Sequence, residues 1–362
     1  MAERIFNLPE TKGIFQVRGN VNGVAKERFY TSKTTKTGKD FRAVYFGCEY
    51  DEKKSIYLSL NGMPQANVYF SKRNQETGKT ETKAVPWVNR NKFNEDGWRM
   101  IGVNLGLVKT TDENGKSVND KKTMTPYDAC DYINGNLKDD ASIFVRGNLE
   151  FSSYLDKDGN TLRSTKYIPN QISLCKNVDF SEYDGVNNKP TNDFTQHIVF
   201  MGIEKEKVND KDTGRFVVSA KIVTYSDIID TELYVTDNKL ASLFKKNLRA
   251  YNAITVHGHI EAVHNIVEVE EEEDAWGEKN AMNSSVNGST KVELIITGAT
   301  PSTIDKETYN EKNVTEAMKK IRAARTAEQN FSGKTNVSTS SSDDDDDWGD
   351  SDWGDDDDDM PF

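Results

Sequence analysis

Two stretches decide the fold: IFVRGNLEF at 143–151 and ITVHGHIEA at 254–262. Laid over each other without gaps they share I-x-V-x-G-x-[LI]-E, which places Gly147 on Gly258 and Glu150 on Glu261. Both alternate apolar and polar residues, as half-buried strands do, and both carry a mid-strand glycine of the kind that lets a strand bend sharply. A short helical pattern precedes each copy, PYDACDYINGNL at 126–137 and NKLASLFKKNL at 238–248.

Working outward, β-branched and aromatic runs bounded by Gly, Asn and Asp predict strands over 14–24, 41–50, 55–60, 100–108, 142–155 and 165–174. A second series covers 196–207, 215–225, 231–235, 254–269 and 291–297. The turns KTGKD, LDKDGNT and NDKDTG supply glycine beside Asp or Lys. Each copy therefore runs three strands, a short helix and two strands, which is the order of an OB-fold, a five-stranded Greek-key barrel. The expected architecture is mainly β, with two tandem OB-folds. The first occupies 1–180, with an insertion at about 64–123, and the second 191–300. A helix is expected over 313–330, begun at Asn313 with Glu316 three residues on, its apolar stripe packing on the second domain. Residues 331–362 read as a disordered linker and acidic tail.

Charge divides the chain further. Its 47 Lys and Arg face 59 Asp and Glu, but 12 of those acids are aspartates within 343–362, DDDDDWGDSDWGDDDDDMPF. The remainder is neutral overall and polarised: 1–180 carries a net +6 and 181–342 a net −6. The basic half is the one that could meet a polyanion. No apolar run approaches the roughly eighteen residues that a membrane span needs, and MAERIFNLPETKG has no apolar leader pattern. Cys48, Cys130 and Cys175, odd in number and widely spaced, read as reduced thiols of a cytoplasmic protein.

Catalytic patterns fail on their spacing. TGKT at 77–80 and SGKT at 332–335 lack the phosphate-loop glycine, since Arg73 and Glu328 stand five residues before the Gly-Lys. DKDGN at 156–160 lacks the calcium-loop Gly and Glu, with Thr161 and Tyr167 in those places. His257 and His259 share a strand face without a cysteine partner. No enzyme, metal or cofactor is expected. The run 270–274 reads as an acidic loop unsuited to nucleic acid.

The N-terminal half interleaves aromatics with cations. Within 26–46 stand Arg28, Phe29, Tyr30, Lys33, Lys36, Lys39, Arg42 and Tyr45. Within the insertion stand Tyr69, Phe70, Lys72, Arg73, Trp87, Arg90, Lys92, Trp98 and Arg99. Unpaired bases stack on aromatic faces while Lys and Arg track phosphates, so this set is the expected binding site for single-stranded nucleic acid. Any one ring could equally be core.

The close of the tail resembles that of bacterial single-stranded DNA-binding proteins, whose acidic tip ends Asp-Ile-Pro-Phe. By that resemblance Asp355, Asp356, Asp357, Asp358 and Asp359 steer, Met360 stands where Ile is usual, Pro361 stiffens and Phe362 plugs a basic-rimmed pocket on replication, repair or recombination enzymes. Trp348 and Trp353 match nothing in that pattern. The bacterial subunits have one OB-fold and a shorter chain, so a bacteriophage-type body acting in the bacterial host cytoplasm is implied. The expected function is sequence-tolerant single-stranded DNA binding and protection during replication and recombination, with the tip recruiting enzymes. The alternative is an acidic-tailed, chaperone-like scaffold whose barrels bind protein.

Overall fold

A computed structural model describes residues 4–155, 161–181, 188–264 and 290–334. The turn at 156–160, the acidic run at 270–274 and the tail at 343–362 lie outside the described residues.

Strand β1 (Gly13–Asn22), GIFQVRGNVN, buries every second residue, Phe15, Val17 and Val21 among them. After the short β2 (Tyr30–Thr34), β3 (Asp40–Asp51) and β4 (Lys54–Gly62) form a hairpin that buries Val44, Phe46, Cys48, Ile56, Leu58 and Leu60. Helix α1 (Pro126–Asn136) starts at Thr125, whose hydroxyl accepts the Asp128 N–H, and leads into β10 (Ser142–Leu155) and β11 (Thr161–Leu174). The barrel closes as β1–β3–β4–β11–β10–β1, with only the β4–β11 contact parallel. That is the OB-fold order.

The second barrel repeats it with β12 (Thr191–Val208), β13 (Lys211–Val223), β14 (Ile228–Val235), α2 (Asn238–Asn247), β15 (Asn252–His264) and β16 (Thr290–Asp305). Here too one contact, β14–β16, is parallel. The NDKDTG turn is made by Asn209 and Asp210, both at positive φ, while Gly214 takes its positive φ inside β13.

The barrels are joined edge to edge, β1 running antiparallel to β12 with Phe15 opposite Phe194. Phe15 also lies opposite Gly147, and Phe194 opposite Gly258, so an internal two-fold axis passes through the phenylalanine pair. The repeated glycines explain themselves here. Each sits at a register shift, and a Cβ on Gly147 would stand 2.1 Å from the Ile168 carbonyl oxygen, one on Gly258 1.8 Å from that of Ile295. Two reciprocal contacts clasp the joint: Lys54 pairs with Glu261 at 3.2 Å, and the Ser153 hydroxyl donates to Asp227 at 3.3 Å.

Between β4 and α1 the chain forms β5 (Asn67–Arg73), β6 (Thr80–Pro86) and β7 (Arg99–Met100), a separate three-stranded sheet. The hairpin β8 (Val103–Thr111)–β9 (Ser117–Met124) follows, with β8 extending the first barrel beside β11. The strand expected over 100–108 is therefore broken. At Gly102 the chain changes sheets where a Cβ would meet the Met124 carbonyl oxygen at 2.2 Å. Helix α3 (Glu311–Lys334) packs Val314, Ala317 and Ile321 against Val199 and Val223 of the second barrel and against Phe6 and Leu8 of the segment before β1. It begins earlier than expected, because Asn310, not Asn313, accepts the first-turn N–H. The three cysteines are free thiols, and burial pushes Cys130 up to about 12 and Cys175 up to about 11.

Candidate nucleic-acid interface

The alternation that buries Ile56, Leu58 and Leu60 turns Tyr57 outward, and on β3 it turns Tyr45 outward beside it. The two rings stack at 5.4 Å between centroids with 4° between planes. Arg28, exposed in the short turn before β2, sets its guanidinium carbon 5.6 Å from the Tyr45 centroid. This platform lies on the strand-two and strand-three face of the barrel, the face OB-folds present to oligonucleotides. At its margin the β2–β3 hairpin exposes Lys33, Lys36 and Lys39, with Lys33 5.7 Å from the Phe41 centroid.

Other residues of the expected site do different work. Phe29 and Phe70 are core rings, each 4% exposed, and are removed from the stacking set. Phe29 packs edge-on to Phe46, and Phe70 anchors the insertion's own cluster with Val68 and Val85. Trp98 is half-buried on that same cluster, on the side where Lys83 lies over Phe93 and Trp98. Tyr69 points to the other side and is exposed.

Arg42, Arg90, Trp87 and Tyr30 converge on the start of α1. Arg90 makes two hydrogen bonds to the Asp128 carboxylate, 2.7 and 2.9 Å, and lies 4.2 Å from the Trp87 ring centroid. Trp87 meets Tyr127 edge-on, and Arg42 sits 3.9 Å from the Tyr127 centroid while pairing with Asp131 at 2.6 Å. Tyr30 donates its hydroxyl to Asp131. Burial alone would raise the Asp128 carboxyl, but the hydrogen bonds from Arg90 and Thr125 outweigh it and hold the group below its usual range. Burial, reinforced by Asp131, raises the Tyr30 hydroxyl. These groups lock the insertion to the barrel, and the two arginines spend their charge on α1 carboxylates.

Lys72 donates to the Asp96 carbonyl oxygen, whereas Arg73, Lys92 and Arg99 are exposed and carry their charges into solvent. Composition in this half did not single out Tyr57, Tyr127, Asp128 and Asp131. For Tyr57 the signal was present in the phase of I-Y-L-S-L, which places a large ring on the polar side of a strand. The tip residues Asp355 to Phe362 lie outside the described residues. Among those described, no helix is long and apolar enough to cross a membrane.

Comparison with solved structures finds the wild-type single-stranded DNA-binding protein from Thermus aquaticus at 10% identity and a TM-score of 0.36, covering 81% of this chain and 93% of that one. A deletion variant of the same protein matches at 10% identity and a TM-score of 0.37, covering 80% and 94%. No curated protein matches. The model of the YorF family matches residues 72–334, from within β5 of the insertion through β10 and β11 of the first barrel and all of the second barrel to the end of α3. On the strength of that match, over most of its length, the chain belongs to the YorF family.

Proposed function

We propose that this protein binds single-stranded DNA without strong sequence preference, through the outer face of its first barrel, and does so without catalysis, metal or cofactor. The stacked Tyr45–Tyr57 pair beneath Arg28 carries the reading. Every base offers a π-face, so a pair of outward rings beside exposed lysines holds a strand by its bases and its phosphates while remaining indifferent to sequence. Duplex DNA would call for an element shaped to a groove, and this face is a sheet with a basic hairpin.

In this reading the protein coats and protects single strands during replication, recombination and repair, in the cytoplasm of a bacterial host if phage-encoded. The acidic segment then recruits partner enzymes through Asp355 to Phe362, which rests on the composition of 343–362 and its resemblance to the bacterial tip. The deciding measurement is anisotropy of labelled oligo-dT titrated with the full chain and with Tyr45→Ala and Tyr57→Ala. Each substitution is expected to weaken binding by about 1–3 kcal/mol, as loss of one stacking ring does. Undiminished affinity in both variants would reject the face as the site.

A further inference from the structure

The insertion presents a second surface of a different kind. In β5, β6 and β7 alternate residues go to opposite sides of a three-stranded sheet. One side packs Val68, Phe70, Val85, Trp98 and Met100 into the insertion's small core. The registers Tyr69↔Ala84, Ser71↔Thr82 and Ser71↔Arg99 put the intervening residues together on the other side. That side is open. Tyr69 is 44% exposed and Ile101 54%, and Arg73, Thr82, Ala84 and Arg99 are exposed around them. The Ile101 N–H donates to the Tyr69 carbonyl oxygen, which keeps the two side chains adjacent.

Its charge is one-sided. Two arginines stand on the open side and no carboxylate occupies an outward position of the three strands. Glu81 falls on the opposite side, in register with Lys72, and Glu95 pairs with Lys83 there. A flat face with an exposed ring, an apolar neighbour, hydroxyls and uncompensated guanidinium groups fits a single-stranded polyanion whose bases are unpaired. Resting on the reading above, we infer that the open face of the insertion sheet, centred on Tyr69, Arg73 and Arg99, is a second contact segment for single-stranded DNA, engaged only by strands long enough to run past the barrel face.

The test uses the full chain with Tyr69→Ala and the double variant Arg73→Ser/Arg99→Ser, titrated with labelled dT oligomers of stepped length, beside Tyr57→Ala. Because all three side chains are exposed, thermal melting should match the parent. Short oligomers should bind the insertion variants as tightly as the parent. Above a threshold length, Tyr69→Ala should weaken binding about 5- to 150-fold. The double variant should flatten the dependence of log K on log salt by about 1.4, two phosphate contacts at roughly 0.7 each. If both variants match the parent at every length while Tyr57→Ala loses affinity, the insertion face is rejected and the barrel reading stands. If no variant differs, or the parent does not bind, both fall. A change in sedimentation of the unliganded Tyr69→Ala protein with dT binding intact would assign the face to protein contact and overturn the inference.

Discussion

In the first barrel Tyr45 lies opposite Ser59 and Tyr57 opposite Gly47; at the matching places in the second stand Val217, opposite Tyr234, and Glu232, opposite Ser219. The match follows from the repeated glycines. Leu149 faces Tyr167 as Ile260 faces Leu294, and the parallel contacts then put Leu58 level with Leu233. One topology thus carries two chemistries. Val217 and Glu232 stand where the first face has its stacked tyrosines, and charged pairs flank them. Lys221 is buried against Asp230 at 2.5 Å, and Arg215 is held between Glu206 and Glu293 at 2.8 and 2.9 Å. A cleft of about 260 Å³ there is lined by Ser219, Lys221, Asp230 and Glu232, and by Arg163 from the β10–β11 hairpin of the first barrel. Carboxylates repel a phosphate backbone, and Lys221 and Arg215 are already paired with them. The two halves share the barrel and the joint, and their outer faces carry different residues on the same frame.

The joint is where the two halves should still behave alike, and it carries the largest effect. Phe15 and Phe194 are both fully buried and lie on the two-fold axis. Phe15→Ala and Phe194→Ala should each cost about 3–5 kcal/mol of stability, as truncation of a buried Phe does. Urea denaturation monitored by circular dichroism measures both. A cost confined to one of them would break the equivalence. The outer faces should respond unequally. Tyr57→Ala should lose about 1–3 kcal/mol of single-strand affinity, whereas Glu232→Ala, at the matching position, should lose none. Equal losses would show that the strand crosses both barrels.

What could be read in the chain beforehand follows a physical line. Gly147 and Gly258 were legible because close approach of two backbones leaves a residue-type signature that survives in nine letters. Helices α1 and α2 were legible for the same local reason, since Thr125 and Asp237 cap them within their own segments. Phe29 and Phe70 were misassigned because counting rings within a window ignores which way each one points: Phe29 turns inward from the short turn before β2, and in NVYFSKR it is Tyr69, not Phe70, that points out. Arg42 and Arg90 looked available because their partners, Asp131 and Asp128, arrive from a helix that only the folded chain brings near. The β1–β12 joint has no local signal at all, as it pairs strands from opposite halves of the chain.

A smaller effect concerns the acidic tail, which should compete for the basic face and not for the charge-paired one. Deleting 343–362 removes 12 aspartates. Affinity for oligo-dT should then rise about threefold to tenfold at low salt and converge with the parent near 1 M, where screening reaches about 3 Å. Deleting Phe362 alone leaves the aspartates in place, so it should leave DNA binding unchanged while abolishing capture of a replication or repair enzyme in a pull-down. Retained capture would reduce the tip to a solubilising segment.

The smallest effect separates the barrels by pH. His197 on β12 takes the place that Arg18 holds on β1, three residues beyond the paired phenylalanines in each strand. Its ring lies against Tyr309 at 5.9 Å, and Nδ1 is 3.1 Å from the Thr255 hydroxyl. Burial lowers its pKa, and the attraction of Asp305 offsets this only in part. The folded protein therefore prefers neutral His197, while the unfolded chain takes up a proton near the ordinary value of about 6.5. Stability from this group is fully present above that value and falls as pH drops from it toward the lowered folded pKa, because the unfolded state then binds more protons. No histidine stands in residues 1–180, so the first barrel has no counterpart to this loss. His197→Gln, which cannot titrate, should flatten the fall in melting temperature between about pH 6.5 and pH 5. Arg18→Gln should leave that slope as it is. If the His197→Gln slope matches the parent's, the pH response comes from another group, and the two barrels do not differ in this respect.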